Sequence, residues 1–139
     1  MRARLEQPRT LSIKIDEGDW QEIKDVNCLA VCNGVYFGSG MKVAPGADVS
    51  DALFDVTVWA GFGVLDFVLL SPLIYSGEHL NHEKTTSFRC TSLEVRAAGG
   101  VEGVAVAAGD AIAVELDGET PGALPASFRV LPSVIQFLA

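Results

Sequence analysis

The sequence predicts a mainly β protein, a two-sheet antiparallel sandwich with one short helical insertion. Short apolar segments recur along the chain, separated by Gly or Pro. The first of them alternates apolar and polar residues, which is the period of a half-buried strand. A single stretch places its apolar residues at helical spacing instead. We therefore expect about seven or eight short strands and one helix, arranged as a sandwich.

The N-terminal half supplies four predicted strands and one long loop. TLSIKID, the turn DEGD and WQEIKDV predict a hairpin in which Leu11, Ile13 and Ile15 share one face. VNCLAVCNG is a continuous apolar run, typical of a strand covered on both faces. The segment 34–51 is rich in Gly and is predicted to be a loop. DALFDVTVWA follows as the next strand, with apolar residues on one of its faces.

The helix is predicted at about residues 63–77. Gly63 precedes the segment, Gly77 follows it, and Pro72 is expected to kink or divide it. The apolar residues at helical spacing are Leu65, Val68, Leu69 and Leu73. After Thr85 the chain is predicted to be β again, in the segments TTSFRCTSLEVRAA, VEGVAVAA, AIAVELDGE and SFRVLPSVIQFL. No repeat or boundary divides the chain, so residues 1–139 are predicted to form one domain.

Charge and composition narrow the classes of partner. The net charge is -8, and the ten basic residues form no cluster, which argues against nucleic acid and against electrostatic docking on anionic lipid. A small or neutral ligand is easier to reconcile with this charge.

The three cysteines predict structural thiols in a reducing compartment. The start of the sequence lacks the pattern of a signal peptide, and Asp66 and Pro72 interrupt the longest apolar stretch. We expect a soluble, cytoplasmic protein without a transmembrane segment.

Three segments are candidate sites, each with a simpler structural explanation. Asp48, Asp51 and Asp55 could hold Mg²⁺ or Ca²⁺, or could solvate a loop and its turn. His79 and His82, with Glu78 or Glu83, could bind zinc, or could form a polar helix end. The Gly-rich NGVYFGSGMK could cradle phosphate, although turn chemistry explains it better.

The fourth candidate is Asp117-Gly118-Glu119. Asp-Gly is one of the strongest hairpin-turn signals in a sequence. In an extended segment, however, the two carboxylates would point to the same face and could serve catalysis or metal binding.

Three stretches in order resemble one protein family. They are CNGVYFGSGMKVAPGADVSDALFDV, SGEHLNHEKT and ELDGETPGALPASFRVLPSVIQFL. Together they are similar to the C-terminal β-sandwich domain of the diacylglycerol kinase-like and sphingosine kinase-like lipid kinases. The resemblance runs from about Thr10 to the end of the chain. It implies the acceptor side of a lipid kinase, with ATP bound only through an N-terminal domain that is not among these residues. A peripheral position at a membrane is an option that the resemblance leaves open.

The resemblance also implies roles for particular residues. Glu119 falls at the position of the general base for a lipid hydroxyl, and Asp117 at that of its partner. A structural Mg²⁺ site falls on the Asp51 side chain and on the backbone carbonyls of Asp48 and Leu53. Two departures from the family pattern stand out. Ala52 replaces a customary Gly, and Glu83-Lys84 replaces a step that contains proline.

Phosphoryl transfer depends on positioning and charge around the phosphates, and the sequence has no G-G-D-G-T motif for ATP. The leading hypothesis is thus a lipid-kinase C-terminal domain, acting on a diacylglycerol- or sphingosine-like hydroxyl and inactive by itself. The alternative is a non-catalytic binding or assembly module that pairs with an ATP-binding domain or with a second copy through exposed sheet edges. A third hypothesis, a carboxylate-pair hydrolase, is disfavoured because side chains only two apart in sequence rarely supply the acid and the base on opposite sides of a scissile bond.

Overall fold

A computed structural model describes residues 9–99 and 111–134 of the chain. The helix α1 spans Val64–Ser76 and is followed by a short 3₁₀ helix at Glu78–Asn81. The strands are β1 Arg9–Ile15, β2 Trp20–Cys32, β3 Phe54–Ala60, β4 Thr85–Cys90, β5 Ser92–Ala97, β6 Ala113–Leu116, β7 Glu119–Ala123 and β8 Ala126–Arg129. The predicted strand VEGVAVAA and the end of the last predicted strand lie outside the described residues.

The strands form two antiparallel sheets. The larger sheet has six strands in the order β4-β3-β2-β1-β5-β8, and the smaller one is the β6–β7 hairpin. Each pairing in both sheets is antiparallel. The predicted mainly β, sandwich-like class with one helix is confirmed.

The larger sheet must curl strongly. Three strands separate β4 from β5 in the sheet order, yet Thr91 alone connects them along the chain. One residue spans only about 7 Å between its neighbours, so the end of β4 and the start of β5 adjoin. The principal core lies among these strands and includes the buried Ile13, Val56 and Leu93.

The strand β2 corrects one sequence expectation. WQEIKDV and VNCLAVCNG were predicted as two strands, but they form a single strand of 13 residues. A bulge lies between Val26 and Cys28 in the pairing with β3. At this bulge the Asn27 side chain accepts a hydrogen bond from the Phe62 N–H at 2.8 Å and donates one to the Phe62 carbonyl at 3.1 Å. The Asn27 side chain stabilises the bulge through these two hydrogen bonds, and β2 continues through it.

The helix α1 has the predicted bounds, but its apolar spacing does not identify the face that packs. Gly77 ends it with φ +86°, and a Cβ at this position would approach the Pro45 Cγ to 2.8 Å, so only Gly fits. Of the residues at helical spacing, Leu65 is 76% and Leu69 is 73% exposed. The side chains that pack against the second core cluster include Leu70 and Ile74 instead. Because α1 is apolar on almost every side, its spacing did not specify which face packs.

Candidate functional site

Asp117 and Gly118 form the turn of the β6–β7 hairpin, and Glu119 is the first residue of β7. Asp117 and Gly118 have φ values of +49° and +88°, and Leu116 pairs with Glu119 across the hairpin. Positive φ at both central residues is typical of a type I′ turn, which Asp-Gly favours. The turn prediction is confirmed. The extended arrangement with both carboxylates on one face is wrong, because Asp117 adopts the left-handed conformation.

The carboxylates of this hairpin are open to solvent. Asp117 is exposed, and Glu119 begins a strand in which every residue is exposed. The ion pairs within the described parts of the chain use other carboxylates, those of Glu94, Asp66, Asp51 and Asp55. The hairpin therefore presents acidic side chains that can meet a substrate or another protein surface, as a general base requires.

The loop at residues 48–53, before β3, which we call the acidic loop, contains the three residues that the resemblance assigns to Mg²⁺. The Asp51 N–H donates to the Asp48 carbonyl at 3.2 Å, and Asp51 Oδ1 accepts a hydrogen bond from the Leu53 N–H at 2.9 Å. The side chain of Asp48 accepts hydrogen bonds from the Ser50 hydroxyl at 2.6 Å and the Ser50 N–H at 2.8 Å. These bonds hold the pKa of Asp48 below its ordinary value. The loop is thus a set of local turns closed by its own carboxylates.

An arginine that the sequence reasoning missed pairs with two carboxylates, one in this loop and one at the start of β3. Arg89 Nη2 lies 3.3 Å from Asp51 Oδ2, and Arg89 Nε lies 3.1 Å from Asp55 Oδ1. Its guanidinium also donates to the Gly46 carbonyl at 2.7 Å. Asp55 and Arg89 are direct cross-strand partners of β3 and β4, a pairing that favours opposite charges. A correct prediction of the β3–β4 register would have paired Asp55 with Arg89.

This arrangement fits a guanidinium better than Mg²⁺. One oxygen of Asp51 is taken by the Leu53 N–H and the other faces Arg89. Mg²⁺ demands close, near-octahedral oxygen ligands, so it would have to displace Arg89 from Asp51. Within residues 9–99 and 111–134, no three His, Cys, Asp or Glu side chains are grouped for a metal ion. The magnesium site on Asp51, Asp48 and Leu53 stays a prediction, and the chemistry proposed below uses no metal at this loop.

The histidine segment has a structural role at His79. This side chain is only 2% exposed. Its Nε2 lies 3.1 Å from the Val43 carbonyl oxygen and its Nδ1 lies 3.4 Å from that of Leu73. Its ring also packs on Trp59, with centroids 5.6 Å apart. The imidazole joins the end of α1 to the loop before β3, as a buried His with hydrogen-bond partners is expected to do.

A pocket between α1 and the strands β3 and β4 was not predicted. It is small, with a cavity volume of about 10 Å³, which is about the room that one water molecule needs. The wall includes Trp59, Phe62, Leu70, Ile74, His82 and Thr85. We call it the α1 pocket. Sequence reasoning missed it because its lining comes from β3, α1, the 3₁₀ helix and β4, which no local pattern brings together.

The thiols of Cys32 and Cys90 have raised pKa values. Burial first, and the nearby carboxylate of Asp55 second, raise the pKa of Cys32 to about 11. Burial also raises the pKa of Cys90 to about 11, so both thiols stay protonated near neutral pH, as structural cysteines do.

In the part of the chain that the structure describes, no helix is long and apolar enough to cross a membrane.

The fold is that of a β-sandwich-like domain that presents two exposed carboxylates at its β6–β7 hairpin. Residues 4–139 match the family described as "YegS C-terminal NAD kinase beta sandwich-like domain". The chain belongs to this family, and the resemblance drawn from its sequence is confirmed.

Relatives with known sequences and structures agree with this assignment. The chain is 26% identical over 139 residues to proteins named "Diacylglycerol kinase" from two Mycobacterium tuberculosis strains, CDC 1551 / Oshkosh and ATCC 25618 / H37Rv. The match covers 99% of this chain but 41% of each relative.

Two solved structures of a protein from Bacillus anthracis str. Sterne, provisionally described as a diacylglycerol kinase, have a similar fold. Both give a TM-score of 0.66, at 19% and 18% identity, and the match covers 94% of this chain. It covers 40% and 39% of those chains. The chain thus spans about two fifths of the relatives that it matches.

Proposed function

We propose that this chain forms the acceptor-side domain of a lipid kinase that phosphorylates the hydroxyl of a diacylglycerol-like lipid. Family membership over residues 4–139 is the observation that carries the proposal. The relatives named diacylglycerol kinase supply the substrate class. Sphingosine-like acceptors belong to the same proposal as a second option that the resemblance implies.

Glu119 is the proposed general base. It stands at the start of β7, directly after a tight turn, and its exposed carboxylate can accept a proton from a hydroxyl brought within about 3 Å. Asp117 occupies the preceding turn and adds negative charge beside it. A carboxylate whose position is fixed by a hairpin fits a reaction in which positioning supplies most of the catalysis.

ATP is proposed to bind to polypeptide outside these 139 residues. The chain spans 41% of the curated relatives, and the Gly-rich segment that was a phosphate candidate forms a turn instead. Phe37 and Met41 exchange backbone hydrogen bonds of 3.1 Å around its tip. With ATP and Mg²⁺ but no further polypeptide, the chain is expected to be inactive.

The first test compares turnover before and after an ATP-binding half is supplied. The chain would be joined to the remaining part of the Mycobacterium tuberculosis relative and assayed with Mg·ATP and dioctanoylglycerol. Glu119→Gln should lower kcat at least 100-fold, because removing a general base costs about 10²- to 10⁴-fold. Asp117→Asn should lower it less, since Asn preserves the turn. Glu17→Gln, an exposed carboxylate in the β1–β2 turn, is the matched control and should leave kcat unchanged.

Two outcomes would contradict this proposal. Full activity of Glu119→Gln would remove its catalytic role, whereas robust turnover by the 139-residue chain alone would remove the need for another ATP-binding polypeptide.

A further inference from the structure

Arg89 lies where the acidic loop meets the strands β3 and β4. Its Nη2 donates to the Gly46 carbonyl oxygen at 2.7 Å and lies 3.3 Å from Asp51 Oδ2. Its Nε lies 3.1 Å from Asp55 Oδ1. Carboxylate and carbonyl oxygens of an irregular loop are also the ligands that Mg²⁺ and Ca²⁺ take in proteins. The guanidinium therefore stands among the kind of oxygen atoms that would surround a metal ion.

Both oxygens of the Asp51 carboxylate already have a partner. Oδ1 accepts a hydrogen bond from the Leu53 N–H at 2.9 Å, and Oδ2 faces Arg89. The distances around the guanidinium, 2.7 to 3.3 Å, are those of hydrogen bonds and ion pairs. Mg²⁺ would need the same oxygens at about 2.1 Å. A guanidinium and a Mg²⁺ ion cannot share them.

The two carboxylates need a positive charge beside them. The side chains of Asp51 and Asp55 are only 23% and 17% exposed, and Asp55 Oδ2 is buried without a hydrogen-bond partner. A carboxylate that is largely removed from water is costly unless a cation pairs with it. Arg89 makes the ion pairs of both residues, and the planar fork of a guanidinium suits contact with several oxygens at once.

We propose that Arg89 is the resident cation of the acidic loop in this chain, in the place that the resemblance assigns to a structural Mg²⁺ ion. Its guanidinium holds the loop against β3 and β4, so the loop keeps its conformation without a divalent metal. Arg89 is thus a positioning residue. The proposal rests on the contacts of its side chain and not on kinase activity.

The first test measures the unfolding temperature of the full chain with and without divalent cations. Calorimetric scans are run in EDTA, in millimolar MgCl₂ and in millimolar CaCl₂, with NaCl added to equalise the ionic strength. A metal bound to the folded state would raise the unfolding temperature by mass action. For the wild type we expect the three unfolding temperatures to agree within about 1 °C.

The second test removes the charge of Arg89. Arg89→Gln leaves Asp51 and Asp55 without a counter-ion, and its unfolding temperature in EDTA should be about 2–5 °C below that of the wild type. Mg²⁺ or Ca²⁺ should recover about half of that loss or more, because the freed oxygens can then bind a metal. Arg89→Lys keeps the charge and should stay insensitive to both metals. The loss of a merely structural contact would not create a response to metal.

A matched control breaks a different ion pair. Lys84 Nζ lies 2.8 Å from Asp66 Oδ2, and both side chains are about one third exposed. Lys84→Gln should lower the unfolding temperature without making it depend on Mg²⁺ or Ca²⁺, because a single carboxylate is left behind.

Three results would overturn the proposal. They are a wild-type chain that the metals stabilise as much as, or more than, they stabilise Arg89→Gln, an Arg89→Gln variant as stable as the wild type in EDTA, and an Arg89→Lys variant that responds to metal as Arg89→Gln does. The scans contain no ATP or lipid and do not involve Glu119, so their failure is distinct from failure of the kinase proposal.

Discussion

Ala52 holds a backbone conformation that suits glycine. Its φ is +60°, in the left-handed region that costs an L-residue with a Cβ about 1–2 kcal/mol. It lies between Asp51 and Leu53, whose hydrogen bond closes the acidic loop. The resemblance already marked this position as a departure from a customary Gly. The structure explains why Gly suits this position, because the backbone there has a positive φ that Ala adopts only at an energetic cost.

Ala52→Gly should therefore stabilise the protein. The gain from relieving the left-handed strain is partly offset by the greater freedom of Gly in the unfolded chain, which leaves about 0.5–1 kcal/mol. That corresponds to a rise of about 1–4 °C in the unfolding temperature by calorimetry. Ala47→Gly, one residue before the acidic loop, is the control and should lower the unfolding temperature, because Ala47 has no positive φ. A lower unfolding temperature for Ala52→Gly would show that the strain is absent.

Residue types predicted local conformation well and long-range contacts poorly. Gly63 and Gly77 fixed the ends of α1, and Asp117-Gly118 fixed a turn, because each effect depends on φ within a few residues. The pairing of Arg89 with Asp55 depends on the register between β3 and β4, which no local pattern encodes.

At the scale of elements, Asp16 links two turns where the large sheet curls. Its Oδ1 accepts hydrogen bonds from the Thr91 hydroxyl at 2.7 Å, the Thr91 N–H at 2.8 Å and the Ser92 N–H at 2.9 Å. Thr91 is the single residue between β4 and β5. Hydrogen bonds from the Thr91 side chain first, and from the Ser92 and Thr91 backbone next, lower the pKa of Asp16. The Asp16 carboxylate thus joins the β1–β2 turn to the connection between β4 and β5.

Asp16→Asn should destabilise the chain near neutral pH and not in acid. A carboxyl whose pKa is lower in the folded state stabilises the protein above its unfolded pKa of about 3.9, and this stabilisation is lost as the pH falls through the folded value. We expect a loss of about 1 kcal/mol at pH 7, reduced by solvent screening, that shrinks below about pH 4. Urea unfolding at several pH values measures it. Asp19→Asn, exposed in the same turn, should show no such change, and a loss of stability for Asp16→Asn that persists at pH 3 would contradict the assignment.

Elements also show where sequence periodicity fails. The split predicted within β2 did not occur, because Asn27 pairs with Phe62 and carries the strand through its bulge. The packing face of α1 could not be predicted, since a helix that is apolar on nearly all sides has no unique face.

At the scale of the whole molecule, exposed apolar surface is concentrated on α1 rather than at the sheet edges. Val64, Leu65, Val68 and Leu69 are 60%, 76%, 66% and 73% exposed. The edge strands β4 and β8 are only six and four residues long, and short edges discourage pairing between molecules. If copies of this chain associate, α1 is the surface with the larger hydrophobic driving force.

Replacing apolar residues of α1 should therefore reduce association without unfolding the chain. The double variant Leu65→Gln/Leu69→Gln should bind less of a hydrophobic dye and show a lower weight-average mass by light scattering at high protein concentration. Its unfolding temperature should stay within a few degrees of wild type, because α1 contains no buried residue. The control Thr86→Gln/Ser87→Gln alters exposed positions of the β4 edge. A fall in mass for this control and not for the α1 variant would instead assign association to the sheet edge, as the assembly-module alternative predicts.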